Sequence, residues 1–82
     1  MNTHDDLAGL WVSSDGRMRV HLKSDGTFDE VRTNSGRTFH GVWRRDGTNV
    51  HFRDPTTGYE AIGELRGGVL YADRTEFHRE SG

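Results

Sequence analysis

The sequence predicts an all-β protein: an eight-stranded antiparallel up-and-down meander closed into a barrel, with no α-helix. Three observations predict it. Glycine supplies 11 of 82 residues, so dispersed that the longest stretch free of Gly and Pro runs only from Val69 to Ser81. Turn signals recur at near-regular intervals: Asp15-Gly16, Asp25-Gly26, Asn34-Ser35-Gly36, Asp46-Gly47, Asp54-Pro55-Thr56-Thr57-Gly58 and Gly67-Gly68. Most are of the Asp-Gly or Asn-x-Gly kind, whose positive φ values suit tight hairpins. Between them lie short runs of alternating, β-branched and aromatic residues, the pattern of half-buried strands.

Strands are expected at 7–13, 17–23, 27–33, 37–44, 48–53, 59–65, 69–72 and 75–79. The first carries Leu7, Gly9 and Trp11 at every second position. The second is the cleanest, with Met18, Val20 and Leu22 on one face and Arg17, Arg19, His21 and Lys23 on the other. In the third, Phe28 facing inward brings Glu30 and Arg32 inward too, while Val31 argues the opposite; a bulge near Asp29 and Glu30 would reconcile them. The fourth turns Phe39, Gly41 and Trp43 inward and Thr38, His40 and Val42 outward. The fifth, with Val50-His51-Phe52-Arg53, echoes Val20-His21-Leu22-Lys23 of the second. Tyr59 begins the sixth strand and Tyr71 ends the seventh, so both are expected near the mouth. On the eighth, Phe77 and His78 take opposite faces. Hairpin connections throughout favour a barrel over a two-layer sandwich, because closure removes both exposed edges. Residues 7–79 then form one domain, flanked by a polar, disordered 1–6 and a tail at 80–82.

Composition narrows the function. A chain of this length buries only roughly 63% of its unfolded surface, and Leu, Ile, Val and Phe together number 16 of 82. A net charge of −2 nevertheless does not force disorder, and four Phe, two Trp and two Tyr supply large buried areas. The absence of cysteine excludes disulfides and thiolate metal sites and makes the cytoplasm the expected setting. No long apolar run or export signal is present, so no membrane role is expected. A pI near 6.2 and arginines alternating with Asp and Glu argue against nucleic acid.

Leu7-x-Gly9-x-Trp11 on the first strand of a meander resembles the opening signature of the calycin barrels, the lipocalins and the avidin–streptavidin group. By length, the chain is most similar to a small family of uncharacterised bacterial proteins with a streptavidin-like barrel. The resemblance spans the chain from Leu7 to Tyr71. It implies that Trp11 plugs the closed end. The biotin contacts of avidin have no counterpart here, and biotin binding is not implied.

With the plug at the bottom, the turns at 24–26, 45–47 and 66–68 fall there too. Those at 14–16, 34–36, 54–58 and 73–74 fall at the top. The top includes the longest and most polar connection and is the expected mouth. The candidate ligand-binding residues are Arg32, Phe39, Tyr59 and Tyr71, with Trp43 below; plugging and rim roles remain alternatives for Trp43 and the tyrosines. Glu30 is the candidate catalytic acid or base, with Arg32 holding an oxyanion. Five histidines occur without H-x-H or H-E-x-x-H spacing, so no metal and no cofactor is expected. The sequence leads to a small soluble barrel, a monomer or weak homodimer, that binds a small organic ligand at its open end. The alternatives are a cyclase- or isomerase-like barrel enzyme and a structural interaction module whose own side chains fill the barrel.

Overall fold

Eight strands follow one another in chain order: β1 (Gly9–Ser13), β2 (Met18–Leu22), β3 (Thr27–Arg32), β4 (Arg37–Asp46), β5 (Asn49–Asp54), β6 (Tyr59–Arg66), β7 (Val69–Ala72) and β8 (Thr75–Arg79). They come from a computed structural model that describes residues 7–72 and 74–80. Each strand pairs antiparallel with the next, and β8 returns to β1 through Trp11↔Arg79, Val12↔His78 and Ser13↔Phe77, closing the barrel. All eight expected strands are present; the first begins at Gly9 and not at Leu7, which is in helical conformation. The segments read as a disordered N-terminus (1–6) and as the end of the tail (81–82) lie outside the described residues, as does Asp73. Glu80 is tied down: its N–H donates to the Leu10 carbonyl at 2.8 Å, and its carboxylate meets Arg19 at 2.8 Å.

Alternation along the strands sends Trp11, Val20, Leu22, Phe28, Trp43, Val50, Phe52, Leu70 and Phe77 into one buried cluster, with Leu7 added from the lower end. Phe28 and Phe52 meet edge to face, ring centroids 5.5 Å apart at 86°. Both indoles lie at the closed end with their single donors satisfied. Trp11 Nε1–H donates to the Leu7 carbonyl and Trp43 Nε1–H to the Lys23 carbonyl, each at 3.0 Å. The Arg79 guanidinium covers the Trp11 ring at 4.9 Å.

The bulge considered for β3 is not there. Pairing with β2 runs without interruption from Met18↔Arg32 to Leu22↔Phe28. Phe28, Glu30 and Arg32 therefore share the inner face, and Val31 stands outside, 37% exposed. The physical reason is position. Glu30 and Arg32 lie on the part of β3 nearest the open end, where inward charge still reaches water and needs no bulge to escape burial.

Gly41 controls how closely the upper strands approach. A Cβ there would lie 2.7 Å from Phe28 Cε1 and would overlap the Arg53 carbonyl oxygen of the neighbouring strand. Its absence lets the Phe28 ring come up against β4.

Two hairpins rise above the rest of the wall. The β4–β5 ladder ends at Val42↔Arg53, whereas β3 and β4 stay paired up to Arg32↔Arg37. Likewise β7 leaves β6 at Glu64↔Tyr71, while β5 and β6 continue to Asp54↔Tyr59. The upper ends of β3–β4 and β5–β6 thus face each other across the mouth.

Candidate binding site at the mouth of the barrel

Between these two hairpins lies a solvent-open pocket of about 470 Å³. Phe28, Glu30, Arg32 and Phe39 form one wall; Asp54, Thr57, Gly58 and Tyr59 form the other. Below it, between Val20, Phe52, Leu70 and Phe77, only about 30 Å³ is unfilled. That is room for one or two water molecules, each needing about 10–15 Å³. The lower barrel is largely filled by its own side chains, as expected for eight strands, and the usable space inside the barrel is at the mouth; a groove of about 490 Å³ lies elsewhere, over Arg44, His51, Arg53, Glu60 and Ile62.

Parity places the residues of the first wall. Glu30 and Phe39 are direct cross-strand partners, as are Phe28 and Gly41. The Arg32 guanidinium sits 5.3 Å from the Phe39 ring centroid, and its Nε lies 3.5 Å from Glu30 Oε2. Arg32 is thereby committed to an aromatic face and a carboxylate, both supplied by the protein.

On the second wall, Val50, Phe52 and Asp54 alternate inward, so Asp54 enters the barrel at only 8% exposure. Its Oδ1 accepts the Thr56 N–H at 2.9 Å, and its carbonyl accepts the Gly58 N–H at 2.8 Å. These bonds shape the 55–58 turn. Tyr59, opposite Asp54, is 47% exposed and stands at the rim.

Of the residues singled out from the sequence, the structure brings Glu30, Arg32, Phe39 and Tyr59 together around the pocket. Trp43 is separate: at 3% exposure it is packed into the closed end. Tyr71 is separate as well. Leu70 occupies the inward position of β7, which turns Tyr71 outward between Glu64 and Glu76, with Arg66 5.6 Å from its ring centroid. Sequence reasoning missed Asp54, Thr57 and Gly58 as pocket residues and did not count Phe28 among the ligand contacts. For Asp54 the signal was present: continuing the Val50, Phe52 parity by one step reaches it.

The outer face carries the other charged groups. His21, His40 and His78 are exposed there, and His51 is half-buried. Asp29 is flanked by Lys23 Nζ and His40 Nδ1, at 2.8 and 2.7 Å. Lys23 foremost, then His40, holds its carboxyl below the usual range. Among the described residues, no group of three or more His, Asp and Glu is arranged to hold a metal ion. No helix among them is long and apolar enough to cross a membrane.

The family model described as Agrobacterium tumefaciens protein Atu4866 matches residues 4–79. The chain belongs to the Atu4866 family. It is similar to the solution structure of the protein Atu4866 from Agrobacterium tumefaciens, at 32% identity over 90% of this chain and 94% of that one, with a TM-score of 0.78. None of the curated proteins matches. In this Atu4866-family member the two hairpins that frame the pocket, 27–46 and 49–66, lie wholly inside the matched region.

Proposed function

We propose that this Atu4866-family barrel binds a small organic ligand in the mouth pocket, as a soluble cytoplasmic protein of calycin-like, streptavidin-like design. The observation that carries the proposal is the contrast between a largely filled lower barrel and an open upper space of about 470 Å³. That volume falls within the usual range for ligand sites, about 300–1,000 Å³. The walls combine three aromatic rings, Phe28, Phe39 and Tyr59, with the charged groups of Glu30, Arg32 and Asp54. Apolar walls with a few converging polar groups are what such sites need: area for affinity and charge for orientation. The calycin-like reading is supported by Trp11, buried at the closed end beneath Arg79. A structural module filled by its own side chains accounts less well for the open mouth.

The experiment is a fragment titration followed in two-dimensional amide NMR spectra. Binding compounds are expected to shift Phe28, Glu30, Phe39, Thr57 and Tyr59. Shifts confined to outer-face residues, or none across a library of acids, amines and neutral aromatics, would reject the proposal.

One observation favours a second reading, a cyclase- or isomerase-like enzyme. The Glu30 side chain is only 20% exposed and borders both the pocket and the small space beneath it. A carboxyl so placed can exchange a proton with a bound molecule. For a ligand turned over by the protein, Glu30→Gln then keeps affinity and abolishes turnover. Undiminished turnover in that variant would exclude the role.

A further inference from the structure

The mouth pocket carries two carboxylates and one guanidinium, and their surroundings differ. Arg32 lies 3.5 Å from Glu30 and is stacked on Phe39, so these two charges are matched within one wall. Asp54 stands on the opposite wall. At 8% exposure it is more than nine-tenths buried, and it lines the pocket. Its protein partner is a neutral one, the Thr56 N–H on Oδ1. Among the described residues no Lys, Arg or His lies within ion-pair reach of it.

A carboxylate withdrawn from water without a counter-charge is unfavourable, and the deficit is removed by any cation delivered to it. Beside Asp54 stands its cross-strand partner Tyr59, with its ring at the rim, and Phe28 and Phe39 lie on the far wall. Aromatic faces attract cations as well as apolar groups. An anionic ligand meets the reverse situation, because the one guanidinium of the pocket is already turned to Glu30 and Phe39.

We infer that the mouth pocket selects ligands bearing a protonated amine joined to an apolar or aromatic body, the ammonium group seated on Asp54 and the body between Phe28, Phe39 and Tyr59. This rests on the binding function proposed above and adds the chemical class of ligand. The amine N–H groups donate to the Asp54 carboxylate, while Arg32 stays with Glu30.

Three near-isosteric probes test it: tryptamine, tryptophol and indole-3-propionate, titrated at pH 7 and followed by amide shifts. Tryptamine is expected to bind tightest, shifting Asp54, Thr56 and Tyr59, and indole-3-propionate weakest. Asp54→Asn retains an oxygen for the Thr56 N–H and removes only the charge. It should weaken tryptamine by about 10- to 100-fold, the worth of one charged hydrogen bond. Tryptophol should be weakened less than tryptamine, since its neutral hydroxyl loses a charge-assisted hydrogen bond but no ion pair. If tryptophol or indole-3-propionate binds as tightly as tryptamine, with shifts on the same residues, the amine preference is overturned and ligand binding at the mouth stands. Unchanged tryptamine affinity in Asp54→Asn also overturns it. No shift with any probe at millimolar concentration overturns both. The order of the three probes on the unaltered protein decides the matter even if the variant fails to fold.

Discussion

Replacing Gly41 with Ala adds one methyl group at the point where the upper barrel is tightest. Two opposing effects follow. Alanine restricts the unfolded chain and suits a strand better than glycine, worth roughly 0.5–1 kcal/mol of stabilisation. Against this, the new Cβ would overlap the Arg53 carbonyl oxygen and lie 2.7 Å from Phe28 Cε1. The phenyl ring can tilt, but the carbonyl belongs to the backbone of β5 and moves only if the β4–β5 ladder opens. Forcing an extra methylene into a packed site costs about 1–3 kcal/mol, occasionally more. Because backbone is involved the upper end applies, leaving a net loss of about 2 kcal/mol. For a chain of this size that lowers the melting temperature by roughly 8–16 °C. Gly63→Ala is the internal comparison. Its Cβ would be 3.1 Å from the Tyr71 carbonyl oxygen and 3.2 Å from Leu70 Cδ1, contacts relieved by a few tenths of an ångström. Thermal melts followed by circular dichroism should place Gly41→Ala well below Gly63→Ala. A Gly41→Ala melt at or above that of the unaltered protein would refute the close approach of β4 to Arg53 and Phe28.

Other expectations follow from the same packing. Phe28→Ala should cost about 3–5 kcal/mol in denaturant unfolding, as for other buried phenylalanines; Phe39, only half-buried, should cost less than half as much while lowering ligand affinity, and equal losses would contradict their placement. Trp11→Phe removes the donor to the Leu7 carbonyl and weakens the cover by Arg79, and should cost about 1–3 kcal/mol; an unchanged unfolding midpoint would remove Trp11 from the closed end. Asp29 has a folded pKa depressed below 3.8 by Lys23 and His40, so its contribution to stability is full above that value and is lost as pH falls through the folded pKa. Lys23 has a folded pKa raised above 10.5 by Asp29, so its contribution is full below that value and is lost as pH rises through the folded pKa. Urea midpoints measured across pH should therefore fall at both extremes, and Asp29→Asn should flatten both limbs; an unaltered profile in that variant would exclude the pair.

The fold was legible because turn chemistry and a period of two both act locally. Asp-Gly, Asn-x-Gly and Gly-Gly sites mark hairpins one at a time, and Gly67 and Gly68 adopt the consecutive positive φ values, 55° and 83°, of a two-residue turn. Once each strand pairs with the next, closure follows from the need to cover the edges. The site was legible only in part, because hydrophobic alternation fades where the barrel opens. At Glu30 and Arg32 the inward face turns polar, so Val31 competed for the inside on hydrophobicity alone. Asp54 was hidden by its other role, since Asp-Pro-Thr-Thr-Gly reads as a turn and the same residue closes the inward face of β5. Tyr71 was placed by its height on β7 without regard to its face, which Leu70 decides.

Intermolecular nuclear Overhauser contacts between the protein and the tightest-binding library compound test mouth binding most directly. Contacts to the rings of Phe28, Phe39 and Tyr59 are the predicted result. Contacts instead to the exposed outer-face side chains of Val42 and Ile62, 44% and 64% exposed, would contradict it.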